Sequence, residues 1–228
     1  MQSLLSVVTF FLLSQSVVLP PPSQLPPLAT TQLTRSLEAS AGHQVHVWRD
    51  TPAINADGTI NGYIEIPRGE RRKYELDMSK NVRFIDREMP RDIGGYPVNY
   101  GIVPQTVSYD GDPFDILVLG PAITGGTFVR GVIVGLMHME DEKGLDSKVV
   151  VSPVDGAGKP LHKLTTADQR RIGNYFKRYK RHEKAAGKFS KIPGWDSAAQ
   201  GLAFVKMTNR FFKECRQHAD RECQLTVE

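Results

Sequence analysis

Two short stretches of this chain concentrate carboxylates in a way that bears on chemistry. Asp110-Gly111-Asp112-Pro113-Phe114-Asp115 places three acids in six residues, on a turn that feeds an apolar run. A second acidic loop, Glu140 to Asp146, follows another apolar run. Carboxylates this close repel one another unless cations sit among them. Hard oxygen donors with no nearby His or Cys suit Mg²⁺, Mn²⁺ or Ca²⁺ and disfavour zinc. The spacing is not that of an EF-hand loop, which needs ligands at positions 1, 3, 5 and 12 with Gly at 6. A complementary set is cationic and phenolic: Lys73, Arg87, Lys148 and Lys180, with Tyr96, Tyr100 and Tyr179. Arg grips phosphate oxygens as a fork and Lys as a point charge. Carboxylate-held metal facing Lys, Arg and Tyr is the composition expected where phosphoryl groups are transferred. The competing reading is a pair of solvated acidic turns among exposed charged strand faces.

The elements that must hold these groups are mostly strands. Apolar or alternating runs over Ile60 to Pro67, Arg72 to Asp77, Val82 to Asp86, Asp115 to Leu119, Thr127 to Met139 and Lys148 to Val151 are separated by Gly-containing turns. Lys73, Glu75 and Asp77 share one face of their strand, with Tyr74 and Leu76 on the other. Asp146 and Lys148 stand two apart, and Glu65 sits inside an apolar strand. After Pro160 the period changes. Ile172, Tyr175, Phe176 and Tyr179 form a helical stripe, with Thr166 and Gln169 as a capping box. A second helix is predicted after Trp195, capped by Ser197 and Gln200, with Leu202, Val205 and Phe212 on one face. Strands followed by helices indicate an α+β domain. The 228 residues, 40% hydrophobic and 24% charged, suffice for one core without disulfides. A net charge of +4 is too small and too evenly spread to indicate nucleic acid.

No charged residue precedes Arg35. Leu4 to Leu19 is apolar but too short for a stable membrane span, and Pro20-Pro21-Pro22 ends any helix there. This is the shape of a secretory signal peptide followed by a Pro-rich linker. Residues 1–41 are therefore set apart from a single domain over 42–228. The expected location is periplasmic or extracellular, the alternative a cytoplasmic protein with an N-terminal extension.

The ordered series Y-I-E-I-P, K-Y-E, D-R, Y-P-x-N-Y-G, D-G-D-P-x-D, D-E-x-G-x-D-x-K, Y-K and G-W runs from about Gly62 to Trp195. It resembles the family I soluble inorganic pyrophosphatases. The resemblance implies a small twisted OB-like five-stranded β-barrel, two main helices packed on it, and a polar cavity at the barrel mouth. It implies Mg²⁺-dependent hydrolysis of pyrophosphate to two orthophosphates, with several Mg²⁺ ions per site and Mn²⁺ as a possible substitute. Asp110, Asp115, Asp141 and Asp146 would then be metal ligands. Asp112 would accept the proton of the attacking water. Lys73, Arg87, Tyr100, Lys148, Tyr179 and Lys180 would hold phosphates, with Glu65, Glu75, Tyr96 and Glu142 in support. A homo-oligomer, the hexamer favoured, is also implied. The chain departs from the family in its N-terminal extension, a shortened stretch between Val154 and Thr166, and the cysteines Cys215 and Cys223.

Two other functions compete. A metal-dependent phosphohydrolase of organic phosphates would need apolar surface for its leaving group. A non-catalytic OB-like module would bind oligonucleotides through aromatics in a basic groove, which these carboxylates oppose. Cys215 and Cys223 would stand about 12 Å apart on an unbroken helix, so a bond between them requires the helix to end first.

Overall fold

The computed structural model describes residues 45–181 and 187–216. The proposed signal peptide and linker, and Cys223, lie outside the described residues. In chain order the elements are α1 (Val47–Asp50), β1 (Ile60–Ile66), β2 (Arg72–Asp77), β3 (Val82–Glu88), β4 (Asn99–Ile102), β5 (Asp115–Val118), β6 (Phe128–Asp141), β7 (Gly144–Leu145) and β8 (Lys148–Pro153). They are followed by α2 (Thr166–Phe176), β9 (Ser190–Asp196) and α3 (Ala198–Arg216).

Five strands close into a ring in the order β1-β4-β5-β8-β6, with β6 pairing back to β1. Every seam is antiparallel except β5–β8, where Ile116 faces Val149 and Val118 faces Val151. Closure leaves the ring without a free edge. Strands β7 and β9 extend β6, and β2 and β3 form a separate hairpin. This is an α+β fold built on an OB-like barrel.

β5 and β8 read as continuous apolar runs because both of their faces are covered. Ile116, Val118, Val149 and Val151 join Val205 of α3 in one apolar cluster. Leu117 and Val150 join Ile172, Tyr175 and Phe176 of α2 in another. The helical stripe expected at Ile172, Tyr175, Phe176 and Tyr179 is buried in full. Among the described residues no helix is long and apolar enough to cross a membrane.

Four sequence expectations are corrected. The capping box of α2 is Thr165 with Asp168, one residue earlier than Thr166 with Gln169, because Asp168 returns the bond to the Thr165 N–H. At α3, Ser197 does accept from the Gln200 N–H at 3.3 Å, but its own N–H goes to Asp196 Oδ1 at 2.6 Å. A strand, β9, follows the first main helix, so the order is not strands and then helices. Its Pro193 and Gly194 argue against a strand, yet it pairs only with β6 and bulges there, where a missing N–H is tolerated. Strand β4 was also unread, since Asn and Gly are poor strand formers.

Two residues explain why β4 forms nonetheless. Asn99 is fully buried and makes all four bonds its amide allows, to Arg68 N, Ile123 N, Val118 O and Pro121 O, at 2.8 to 3.1 Å. Gly101 lies so close to β1 that a Cβ would stand 1.9 Å from the Tyr63 carbonyl oxygen. Gly101→Ala should therefore force the β1–β4 seam apart. An overpacking cost of about 1–3 kcal/mol corresponds to a melting temperature lower by roughly 2–10 °C in a body of this size. Gly156→Ala, where a Cβ meets nothing within 4 Å, is the control and should melt with the wild type in the same thermal scan.

Candidate active site

The barrel mouth and the β2–β3 hairpin enclose a cavity of about 340 Å³. Each element contributes through its position in the fold. Glu65 comes from β1, Lys73 and Glu75 from β2, Arg87 from β3, Tyr100 from β4, and Asp115 from the start of β5. Asp110 and Asp112 come from the preceding loop, where Gly111 takes φ 86° and lets the chain reverse. The loop is closed by the Ser108 N–H donating to Asp112 O at 2.7 Å. Asp141 ends β6, Glu142 follows it, and Asp146 precedes β8. Tyr179 and Lys180 lie just beyond α2.

All the sequence-predicted site residues line this cavity except Lys148 and Tyr96, which lie beneath it. Lys148 is 1% exposed, and its ammonium donates to Asp115 and, at 2.8 Å, to Asp146. It also sits 5.6 Å from the Tyr100 ring centre and 5.7 Å from that of Phe176. Tyr96 is buried with its ring 5.5 Å from that of Tyr100, so it supports that residue from below. Sequence reasoning did not single out Asp86, Lys143 or Lys188 as site residues. Asp86 bridges the hairpin cations, 3.4 Å from Lys73 and 3.0 Å from Arg87. Its place beside Arg87 in the D-R pair was the available signal. Lys188 lies 2.5 Å from Glu142, and Lys143 shares the acidic loop with it. Nothing in their spacing marked either one.

The lining is unbalanced: nine carboxylates face five cationic side chains. The cations already take several of the acids. Lys73 holds Glu75 at 2.5 Å, and Lys180 holds Asp141 at 2.6 Å and Glu142 at 2.9 Å. The remaining excess appears in the protonation of the acids. Although Asp112 as a residue is exposed, desolvation by the cavity walls, then the charges of Asp110 and Asp115, push its carboxyl up to about 6. Burial and the charge of Asp115 push Asp146 up to about 6 against the pull of Lys148. Glu65, buried and close to Asp115, is pushed up to about 8 even though it accepts the Leu76 N–H at 2.8 Å. Burial opposes the charge on Lys148, but Asp115 and Asp146 outweigh it and hold the ammonium protonated. Tyr100 and Tyr179 are pushed well up by burial and remain phenols.

An acid excess of this kind, made of oxygen donors alone, fits hard divalent cations. Among the described residues no three acids are drawn into a ready-made cation cage, because lysines occupy the positions between them. Asp110, Asp115, Asp141 and Asp146 all face the space where such ions would enter.

Glu65 gives a pH test. A carboxyl raised in the folded state binds more protons there than in the unfolded chain, so stability falls as pH rises between about 4.5 and about 8. Glu65→Gln can still accept the Leu76 N–H and has no charge to desolvate. In chelator, its melting temperature should match the wild type near pH 5 and exceed it by several degrees at pH 8, at ~2–4 °C per kcal/mol. A gap that does not grow with pH in thermal scans would show that Glu65 is not protonated in the fold.

The profile of the family described as inorganic pyrophosphatase matches residues 62–213. An inorganic pyrophosphatase of Sulfolobus acidocaldarius is 36% identical over 164 residues, 69% of this chain and 93% of the relative. One from Xanthomonas campestris is 39% identical over 158 residues, 66% and 87% of the two chains. Among solved structures, the inorganic pyrophosphatase of Thermus thermophilus superposes with a TM-score of 0.67 at 32% identity, covering 74% of this chain and 99% of that one. That of Coxiella burnetii gives 0.64 at 35% identity, covering 71% and 99%. The match runs through the barrel and hairpin that build the cavity and the two main helices packed on them, and the chain belongs to the inorganic pyrophosphatase family.

Proposed function

We propose that this chain hydrolyses inorganic pyrophosphate to two orthophosphates with Mg²⁺, by direct attack of water and without a covalent enzyme intermediate. The observation that carries the reading is the cavity itself, where nine carboxylates and five cationic side chains outnumber the apolar Leu76, Met78, Ile102 and Pro113. Such a wall suits a small, highly charged anion better than a nucleobase or other organic leaving group, which calls for a mostly apolar pocket. Family membership implies a divalent metal cofactor, and Asp110, Asp115, Asp141 and Asp146 would hold it. When bound, such ions cancel substrate charge and make water easier to deprotonate near neutral pH, with Mn²⁺ a possible substitute for Mg²⁺.

The chain's own groups divide the remaining work. Lys73 and Arg87, paired with Glu75 and Asp86 in the free site, exchange those partners for oxygens of one phosphoryl group. Lys180 and Tyr179 meet the other phosphoryl group, and Lys148 and Tyr100 hold the floor beneath. Water attacks the first phosphorus while Asp112 takes its proton. The bond to the bridging oxygen then breaks, and the second phosphate leaves with the electron pair. A general base works best with a pKa near the operating pH, and in the metal-free cavity burial and Asp110 raise the Asp112 carboxyl in that direction.

We further propose that the chain is exported and assembles as a homo-oligomer, the hexamer favoured by its compact family-like body. The charge-free segment before Arg35 supports export. N-terminal sequencing of native protein should find a start beyond Pro27 outside the cytoplasm, and Met1 or Gln2 in a cytosolic fraction would overturn it. Light scattering decides the assembly.

Asp112→Asn keeps the shape of the base and removes its basicity. Phosphate release at saturating Mg²⁺ should fall by about 10² to 10⁴, the span for losing a general base. Affinity for Mg²⁺ and pyrophosphate should change much less. Asp115→Asn should instead weaken metal binding first, with part of the turnover returning at high Mg²⁺. Full recovery of Asp112→Asn by added Mg²⁺ would mean that the two roles are exchanged.

A further inference from the structure

We propose that Val45–Asp50 is a positioning strap that sets the β2–β3 wall of the cavity against the Ser108–Asp112 wall, with Asn81 and Trp48 as its two anchors. The inference rests on the reading that this cavity turns over pyrophosphate. Its premise is the topology: β2 and β3 pair only with each other, outside the barrel sheet. Yet they supply Lys73, Glu75, Asp86 and Arg87 to the cavity, while the Ser108–Asp112 loop supplies Asp110 and Asp112 from elsewhere.

Asn81 sits in the turn between β2 and β3 at φ 56°, a left-handed conformation that Asn and Gly accept. Its side chain reads the strap's backbone as a neighbouring strand would. Oδ1 accepts from the Val47 N–H at 2.8 Å, and Nδ2 donates to Val45 O at 3.0 Å. His46, buried and outside the cavity lining, adds a bond from Nε2 to Met78 O at 2.8 Å. A carbonyl only accepts, so Nε2 carries the proton and Nδ1 accepts from the Arg49 N–H at 3.2 Å.

The other edge of the strap holds the second wall. Trp48 Nε1–H donates to Thr106 O, and the Gln105 N–H donates to Trp48 O, both at 2.8 Å. The Gln105 side chain returns a bond to Arg49 O at 2.9 Å. Thr106 Oγ1 in turn accepts the Phe114 N–H at 2.8 Å, which closes the base of the loop bearing Asp110 and Asp112. The Trp48 ring is seated edge-on against Phe212, 5.0 Å between centres. One six-residue segment is thus bonded to both walls and touches no reacting group. It sets the distance between the phosphate grip at Lys73 and Arg87 and the base at Asp112.

Asn81→Gly tests this cleanly, because Gly keeps the left-handed turn unstrained and removes only the two side-chain bonds. KM for pyrophosphate should rise about tenfold as the grip at Lys73 and Arg87 loosens, and the accompanying loss of rate should stay below the ~10²-fold that a full 1 Å misplacement costs. Trp48→Phe, which keeps the ring and loses the bond to Thr106, should raise KM similarly. The double variant should fall short of the product of the two single effects, because both cuts loosen the same strap. KM does not depend on the fraction folded, so unchanged KM in both variants with only a lower melting temperature would overturn the proposal. Amide exchange needs no turnover and decides the point separately. In Asn81→Gly, exchange should quicken across Gln105–Asp112 as well as in the hairpin, and a change confined to residues 78–82 would also overturn it. A wild type that releases no phosphate would sink the functional reading instead.

Discussion

The buried ammonium of Lys148 is the interaction on which the rest of the site depends. Strands β5 and β8 form the one parallel seam of the barrel, so their starting residues lie at the same end. That geometry sets Lys148, first in β8, beside Asp115, first in β5, and lets Asp146 reach back from two residues earlier. Removing one partner from a buried ion pair costs about 3–5 kcal/mol, because the other charge is left uncompensated. The register is therefore held by more than apolar packing. A slip of one residue would turn Lys148 to the opposite face of β8, where Val149 and Val151 now pack.

This fixed charge separates the acids of the site into two kinds. Asp115 has a permanent counter-ion inside the protein. Asp112 and Glu65 do not, and both are held partly protonated by burial and by neighbouring carboxylates. Lys73 and Lys180 occupy an intermediate position: they line the cavity and are each paired with acids there. Lysines and protons thus offset part of the mutual repulsion among the acids of the cavity.

What the sequence revealed follows from how local the physics is. The Asp110–Asp115 turn was legible because Gly111 and Pro113 fix it within six residues, and the α2 stripe because its period repeats. The depth of Lys148 and Tyr96 was not, since a Lys at the start of a strand is usually a surface residue and only the parallel seam buries it. Strand β4 was missed because its stability lies in the four bonds of Asn99 to distant backbone. The strap was invisible for the same reason. Asn81 binds Val47 across 34 positions through backbone atoms, and any residue at Val47 except Pro would supply the same N–H. Lys188 enters through β9's approach to β6, a strand whose Pro193 argues against it.

The hairpin shows how a rigid barrel can carry an adjustable wall. Leu76 joins Val47, Tyr63 and Ile102 in the smallest of the three buried clusters, with Trp48 and Met78 packed against it, while Tyr74 packs on a larger one. On the outer strand Val82, Phe84 and Ile85 are exposed. Most of what fastens the hairpin is polar. Arg83 donates to the Glu65 carbonyl at 2.6 Å and lies 4.0 Å over the Tyr74 ring, while the Glu65 carboxyl takes the Leu76 N–H. Elements with few buried apolar contacts open at lower cost than a core does. Lys73 and Arg87 therefore ride on a part of the molecule that can shift. Asp115 and Lys148, seated in the closed sheet, cannot. Glu65 joins the two regions, with its backbone in β1 and both of its oxygen-bearing ends bonded to the hairpin.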